Sequence, residues 1–172
     1  PPVQDRPAET RTVEAHLEDR LAALATVEDP AQGQAIADEV ISLWRQLAGP
    51  TAQLLLARGE EALAAGEASL AERQYAHLRR LEPEFSEAWV VSAEAAMQRS
   101  EWSFALEALD RAIALEPRRF DAYVLLGRTL EQADSPAGAL EAYEAALAIH
   151  PHHDGAREAA QRLEARLSGR AL

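Results

Sequence analysis

Between residues 52 and 150, apolar and small side chains recur every three or four positions, the spacing that lines one face of an α-helix. The stretches predict helices over 52–65, 69–82, 86–99, 103–116, 120–133 and 137–150, and the residues between them are turn formers. Gly66, Ser100 and the run Asp134-Ser135-Pro136 interrupt the pattern inside each pair, and Pro136 suits the first turn of the helix that follows. Pro83, Pro117 and Pro151 close each pair in similar settings: Leu81-Glu82-Pro83, Leu115-Glu116-Pro117 and Ile149-His150-Pro151. They stand 34 residues apart. A fixed period of this length means one helix-turn-helix unit repeated, each copy burying its apolar face against the next.

Aligned on the prolines, the units run 52–85, 86–119 and 120–153, and other columns then agree. One column holds Ala71, Ala105 and Ala139, and another Gly59, Ala93 and Gly127, small residues that let two helices of a unit approach closely. Large residues fill the columns Leu55, Trp89, Tyr123 and Tyr75, Leu109, Tyr143, while a further column reads Leu78, Ala112, Ala146. This pattern resembles the tetratricopeptide repeat (TPR) family over about 100 residues. Arg58 and Ser92 stand where that family usually has Leu, and Ala62 and Ala96 where it has Tyr, which predicts a thinner core in the first two units. The fold implied is all-α, a right-handed solenoid of antiparallel helix pairs.

Two flanking segments complete the expected domain plan. Val13, Leu17, Leu21 and Leu24 form one stripe and Ile36, Val40, Leu43, Trp44 and Leu47 another, so residues 12–48 read as a helical hairpin. Extending the repeat frame backwards puts Leu21, Ala25 and Ala37 at signature positions but Trp44 where Ala is usual, the mark of a degenerate leading repeat over 18–51. After the last unit, residues 154–172 read as a capping helix and tail, with Asp154 as N-cap and Ala156, Ala160, Leu163 and Leu167 on one stripe. Residues 1–11, with three prolines, read as a disordered tail. The hairpin followed by Gly49-Pro50-Thr51 and Leu54-Leu55-Leu56-Ala57-Arg58-Gly59 is similar to a group of small bacterial TPR proteins, mostly alphaproteobacterial, without assigned activity. Members commonly carry an export signal, which implies a periplasmic location; a cytoplasmic one is the alternative.

Composition narrows the chemistry. The net charge of −12 opposes binding to nucleic acid and to anionic membrane surfaces, and no apolar run is long enough to cross a bilayer. All 17 cationic side chains are Arg, so Schiff-base and phosphate-loop lysines are excluded, and the absence of Cys excludes disulfides and thiol chemistry. No Gly-rich phosphate loop, nucleophile elbow or His-Glu-x-x-His motif occurs, and acidic pairs such as Glu60-Glu61 are expected by chance among 29 acids. The chain therefore reads as a non-enzyme without a cofactor. His150, His152 and His153 with Asp154 have the residue types for a divalent metal, but as an exposed turn between helices they lack a further ligand, and no metal site is assigned.

The resemblance implies a binding site on the concave face lined by the first helix of each pair. It assigns Leu56, Glu60 and Leu63 from the first unit, Val90, Glu94 and Met97 from the second, and Val124, Arg128 and Glu131 from the third. Leu56, Val90, Met97 and Val124 make an apolar track beside an exposed acidic rail of Glu60, Glu94 and Glu131, with Arg128 as the basic member. The Lys, Asn and Arg with which some TPR domains clamp a C-terminal carboxylate are replaced by Leu56, Glu60, Val91 and Leu125. The expected partner is a protein or peptide with apolar and basic character. The expected function is a scaffold or adaptor, with a self-associating homo-oligomer as the alternative.

Overall fold

A computed structural model describes residues 8–170, with side-chain surroundings given for 12–169. Nine helices are present among them: α1 (Ala8–Thr26), α2 (Pro30–Gln46), α3 (Pro50–Ala64), α4 (Ala68–Leu81), α5 (Ser86–Gln98), α6 (Trp102–Leu115), α7 (Phe120–Gln132), α8 (Pro136–Ile149) and α9 (Asp154–Arg170). The six helices expected from the apolar pattern lie within two residues of their predicted ends. The tail expected over 1–11 falls outside the described residues except for 8–11, which begin α1.

Close contact within each pair follows from the small-residue columns. Gly59 of α3 faces the ring of Tyr75 of α4 so tightly that a Cβ would lie 2.1 Å from it, and Gly127 of α7 faces Tyr143 of α8 at 2.8 Å. In the middle pair the same contact is made by Ala93 and Leu109, both fully buried, so a smaller ring-free partner makes room for the methyl. Gly59→Ala should therefore lose about 1–3 kcal/mol to overpacking, exceeding the roughly 1 kcal/mol that Ala offers a helix over Gly. A urea midpoint unchanged or raised in this variant would show that Tyr75 moves aside freely.

The turns repeat as faithfully as the helices. Gly66, Ser100 and Asp134 all take positive φ, at 79°, 58° and 52°. After each, a backbone N–H reaches back five residues: Glu67 to Ala62, Glu101 to Ala96 and Ser135 to Leu130, at 2.8–2.9 Å. This is the helix ending that satisfies orphan carbonyls with one left-handed residue. Ser100 and Asp134 occupy that conformation where glycine would do so without strain.

The thinner core expected at Arg58 and Ala62 appears as a surface hollow of about 320 Å³ beside them and Leu70. At Ser92 the outcome differs. Ser92 is fully buried, donates to the Ala88 carbonyl at 2.6 Å and accepts from Arg79, whose guanidinium also pairs with Glu72 at 2.7 Å and lies over Trp89 and Phe104. A bridging arginine supplies the contacts that Leu would have made.

The hairpin α1–α2 forms, but it does not stack on α3 as a leading repeat would. Its buried residues Leu17, Leu21, Leu24, Val40, Leu43 and Trp44 share a core with Phe120, Tyr143 and Ala146 of the last pair and with Ala156, Ala160 and Leu163 of α9. α2 thus meets the start of α5 through Arg45 with Glu87, the start of α7 through Trp44 with Phe120 and the turn before α9 through Gly33 beside His152, and reaches α3 through Arg45 with Glu60. Pro30 at its start and the Asp29 carboxylate, which accepts the Gln32 N–H at 2.8 Å, set where it begins. At the far end, α9 covers the last pair with the expected stripe, yet its cap is not Asp154: His153 Nδ1 accepts the Ala156 N–H at 3.1 Å, and Asp154 pairs with Arg157.

Candidate functional site in the concave groove

The first helices of the three pairs, α3, α5 and α7, present one face to the groove, and the hairpin closes part of it. Ile41 and Arg45, one turn apart on α2, reach a hollow of about 220 Å³ walled by Val90, Glu94, Val124 and Leu125. Arg45 pairs with Glu60 at 2.6 Å and with Glu87 at 2.9 Å. Glu87 is 2% exposed and also takes Arg119, which is wholly buried and meets Asp121 at 2.6 Å. The Arg119 guanidinium lies 4.4 Å from the centre of the Trp44 ring. This chain of charges, Glu60–Arg45–Glu87–Arg119–Asp121, ties the hairpin to all three pairs.

The acidic rail accordingly differs from the expected exposed row. Glu60 is half-buried against Arg45. Glu131 is held by Arg162 of α9 at 2.8 Å and by the Tyr143 hydroxyl at 2.8 Å, and the Arg162 hydrogen bonds keep its carboxyl below the usual range. Glu94 is half-buried and, among the described residues, accepts no hydrogen bond and no ion pair. Burial pushes its carboxyl up to about 7, aided by the charges of Glu87 and Asp121 and opposed by Arg45. Leu56 and Val90 are buried, at 5% and 4% exposure: Leu56 belongs to the core of the first pair, and Val90 to the wall that α2 faces.

Beyond the end of α2 the groove stays open. A hollow of about 390 Å³ there is lined by Leu63, Met97, Trp102 and Leu125, with Glu94, Gln98, Arg128 and Gln132 as polar members. Of the nine residues the repeat frame assigns, Leu63, Glu94, Met97 and Arg128 are brought together here. Val124 and Val90 face α2, and Glu60 and Glu131 are already paired. Trp102 and Leu125 are wall residues that the frame omits from its list, Trp102 because it opens the second helix of its pair.

The histidines do not form an exposed turn. His150 is fully buried, edge-on to Phe120 with ring centres 5.2 Å apart, and neither ring nitrogen has a hydrogen-bond partner among the described residues. His152 Nε2 donates to the Val27 carbonyl at 2.8 Å, and His153 caps α9. Each imidazole is committed to packing or to backbone, and among the described residues no group of three or more His, Asp or Glu could hold a metal ion.

His150 and Glu94 titrate in one window with opposite effects. Burial, then the charges of His153 and His152, lower His150 from 6.5 to about 4 against the pull of Asp38 and Asp154. The unfolded chain then binds this proton first, and stability falls as pH drops from 6.5 towards 4. Glu94 binds a proton in the fold before the unfolded chain does, so stability gains as pH drops from about 7 to 4.5. Glu94→Gln removes the second effect, and its stability should fall more steeply with acid over this window than that of the parent. Chemical denaturation at stepped pH tests this; parallel profiles would refute it.

No protein-family model and no curated protein matches the sequence. Solved structures do match the fold. The chain is similar to the first TPR of Spaghetti (RPAP3) bound to the HSP90 peptide SRMEEVD, at 19% identity and TM-score 0.67, covering 70% of this chain and 96% of that one. It is similar to the Sgt2 TPR domain from Aspergillus fumigatus at 21% identity and TM-score 0.67, covering 70% and 81%. The MamA protein matches at 24% identity and TM-score 0.62 over 85% of this chain and 81% of that one, a span that takes in more than the three pairs. With its 34-residue helix pairs, small-residue contacts and repeated turns, the chain has the tetratricopeptide-repeat fold.

Proposed function

We propose that the protein is a non-catalytic scaffold that binds a segment of another protein in the open part of its concave groove. The observation that carries this reading is the hollow at the ends of α3, α5 and α7, where four apolar walls stand beside Glu94, whose carboxyl has no hydrogen-bond or ion-pair partner among the described residues. Its size falls in the range of about 300–1,000 Å³ typical of pockets that enclose a ligand group. Among neighbours in fold, the RPAP3 domain is bound to the HSP90 peptide SRMEEVD and the TPR2B domain of yeast Sti1 is in a complex with pHsp70. The RPAP3 ligand is acidic, whereas this groove is acidic itself, so charge complementarity favours a basic, apolar segment.

Segments selected from a random peptide library on the intact protein should bind at least about tenfold more weakly to Met97→Ala, because deletion of a central apolar anchor costs 1.4 kcal/mol or so. Selected segments that are indifferent to Met97→Ala and to changes at Leu63 would place binding elsewhere and end this reading.

A second reading, self-association, has its own observation. At the position where Ala88 and Ala122 are buried, the first pair presents Leu54, 51% exposed, and Leu81 at the end of α4 is 49% exposed. The hairpin shares most of its core with the last pair and α9, so among the described residues no helix stacks on this end of the solenoid as α9 does on the other. Sedimentation should then show concentration-dependent dimers that Leu54→Glu abolishes; a monomer at all concentrations removes this reading.

A further inference from the structure

We propose that the open hollow is a socket for one arginine or lysine side chain of the bound segment, its cation on Glu94 and its aliphatic stem against Leu63, Met97 and Trp102. The inference rests on the groove reading and sharpens it to a single anchor residue. Three observations converge. Glu94 is the acid of the groove that forms no ion pair among the described residues, whereas Glu60, Glu87 and Glu131 each have an arginine partner. It lines both the open hollow and the one that α2 enters, so the open hollow gives a group arriving from solvent access to this residue. The α2 side displays the same chemistry from within: Arg45 lies beside Glu60 and Glu87 with Ile41 one turn away, an internal example of a cation with an apolar neighbour in this groove.

A long cationic side chain suits the walls as well as the charge. Its methylenes cover apolar surface while the head keeps its hydrogen bonds, and a guanidinium also stacks on indole. Arg128, exposed on the α7 wall, would repel a cation placed at the rim and so favours one seated deep, at Glu94. Together with Gln98 and Gln132, it offers donors to main-chain carbonyls of the same segment.

Met97 is the one methionine of the chain, so its methyl resonance reports on this hollow alone. The probe is a capped pentapeptide, acetyl-Ala-Leu-Arg-Leu-Ala-amide, compared with the same peptide carrying citrulline, which keeps the shape and loses the charge. The arginine peptide should shift the Met97 methyl at pH 8, and citrulline or Glu94→Gln should each weaken binding about tenfold, the effect of losing a charge-assisted hydrogen bond in a partly buried site. Affinity for the arginine peptide should fall about tenfold from pH 8 to pH 6 as Glu94, with its carboxyl near 7, takes up a proton, and Glu94→Gln should flatten that profile. Equal shifts from both peptides would overturn the socket while leaving the groove in use. Absence of any Met97 shift at millimolar arginine peptide would overturn it as well, and the library selection would then decide separately whether the groove binds segments at all. Because citrulline is tested on the unaltered protein, a folding defect in Glu94→Gln cannot obscure the result.

Discussion

Arg119→Ala should destabilise the protein by about 3–5 kcal/mol, the cost of removing one member of a buried ion pair. Arg119 is 0% exposed, and its two carboxylate partners lie on different elements: Glu87 at the start of α5 and Asp121 in the first turn of α7. Asp121 is near enough to the surface to be hydrated once the guanidinium is gone. Glu87, 2% exposed, would keep only Arg45, which it shares with Glu60. The loss arises mainly from this stranded charge rather than from the attraction itself, because desolvation offsets most of what a buried pair gains. It follows that replacing both members, as Glu87→Leu with Arg119→Met, should be less harmful than Arg119→Ala alone. Urea denaturation of the parent, the two single variants and the double variant measures this as a coupling energy. A loss below about 1 kcal/mol in Arg119→Ala would mean that water reaches Glu87 and that the network is not dry.

That network marks where reading the sequence stopped being sufficient. The helix pairs, their 34-residue period, the glycine–tyrosine contacts and the left-handed turn residues are local or nearest-neighbour features, and each leaves a trace at a fixed offset. Ser100 and Asp134 could be assigned to turns because Gly66 stands one and two periods before them. The placement of α1–α2 has no such trace. An apolar stripe at Val40, Leu43 and Trp44 states that α2 is buried on one side, but not against what, and the repeat frame extended backwards supplied the wrong neighbour, α3. The discordant residue was Trp44 itself, too large for the small-residue column of a repeat. Nothing in the local pattern marks Glu87 and Arg119 as buried, since charge burial depends on a partner 42 or 32 residues away. For the candidate site, the assigned face was legible, but which acids remain free was not. Arg45 and Arg162 come from outside the repeats and neutralise Glu60 and Glu131, leaving Glu94. A chain without Lys has only guanidinium for these roles, and its planar fork can serve two carboxylates at once, as Arg45 and Arg119 both do.

The hairpin's attachment should depend on one side chain above all. Trp44 is the largest fully buried residue, 1% exposed, and its ring meets Phe120 at 5.7 Å between centres and the Arg119 guanidinium at 4.4 Å. Its indole N–H has no hydrogen-bond partner among the described residues, so its contribution comes from packing and from the cation above the ring. Trp44→Ala should cost about 3–5 kcal/mol, the usual range for deleting a buried aromatic. The loss should be local before it is global, since besides the apolar core that Trp44 shares with the last pair and α9, the polar contacts that hold the hairpin to the repeats among the described residues are few, chiefly the Arg45 pairs, Arg118 with Glu18 and His152 with Val27. Hydrogen exchange is the discriminating measurement: amides of α1 and α2 should lose protection by about a hundredfold or more, while those of α5 and α6 change far less. Trp44→Phe, which keeps a ring beside Phe120 and Arg119, should recover most of the difference. Undocking would also withdraw Arg45 from Glu60 and Glu87, so an arginine-bearing peptide should gain a second acidic place in Trp44→Ala, on the side of the groove that α2 now fills. If α1 and α2 exchange no faster than in the parent, Trp44 is not the anchor; if every helix loses protection in step, the hairpin and the solenoid unfold as one unit and the hairpin is an integral part of the fold.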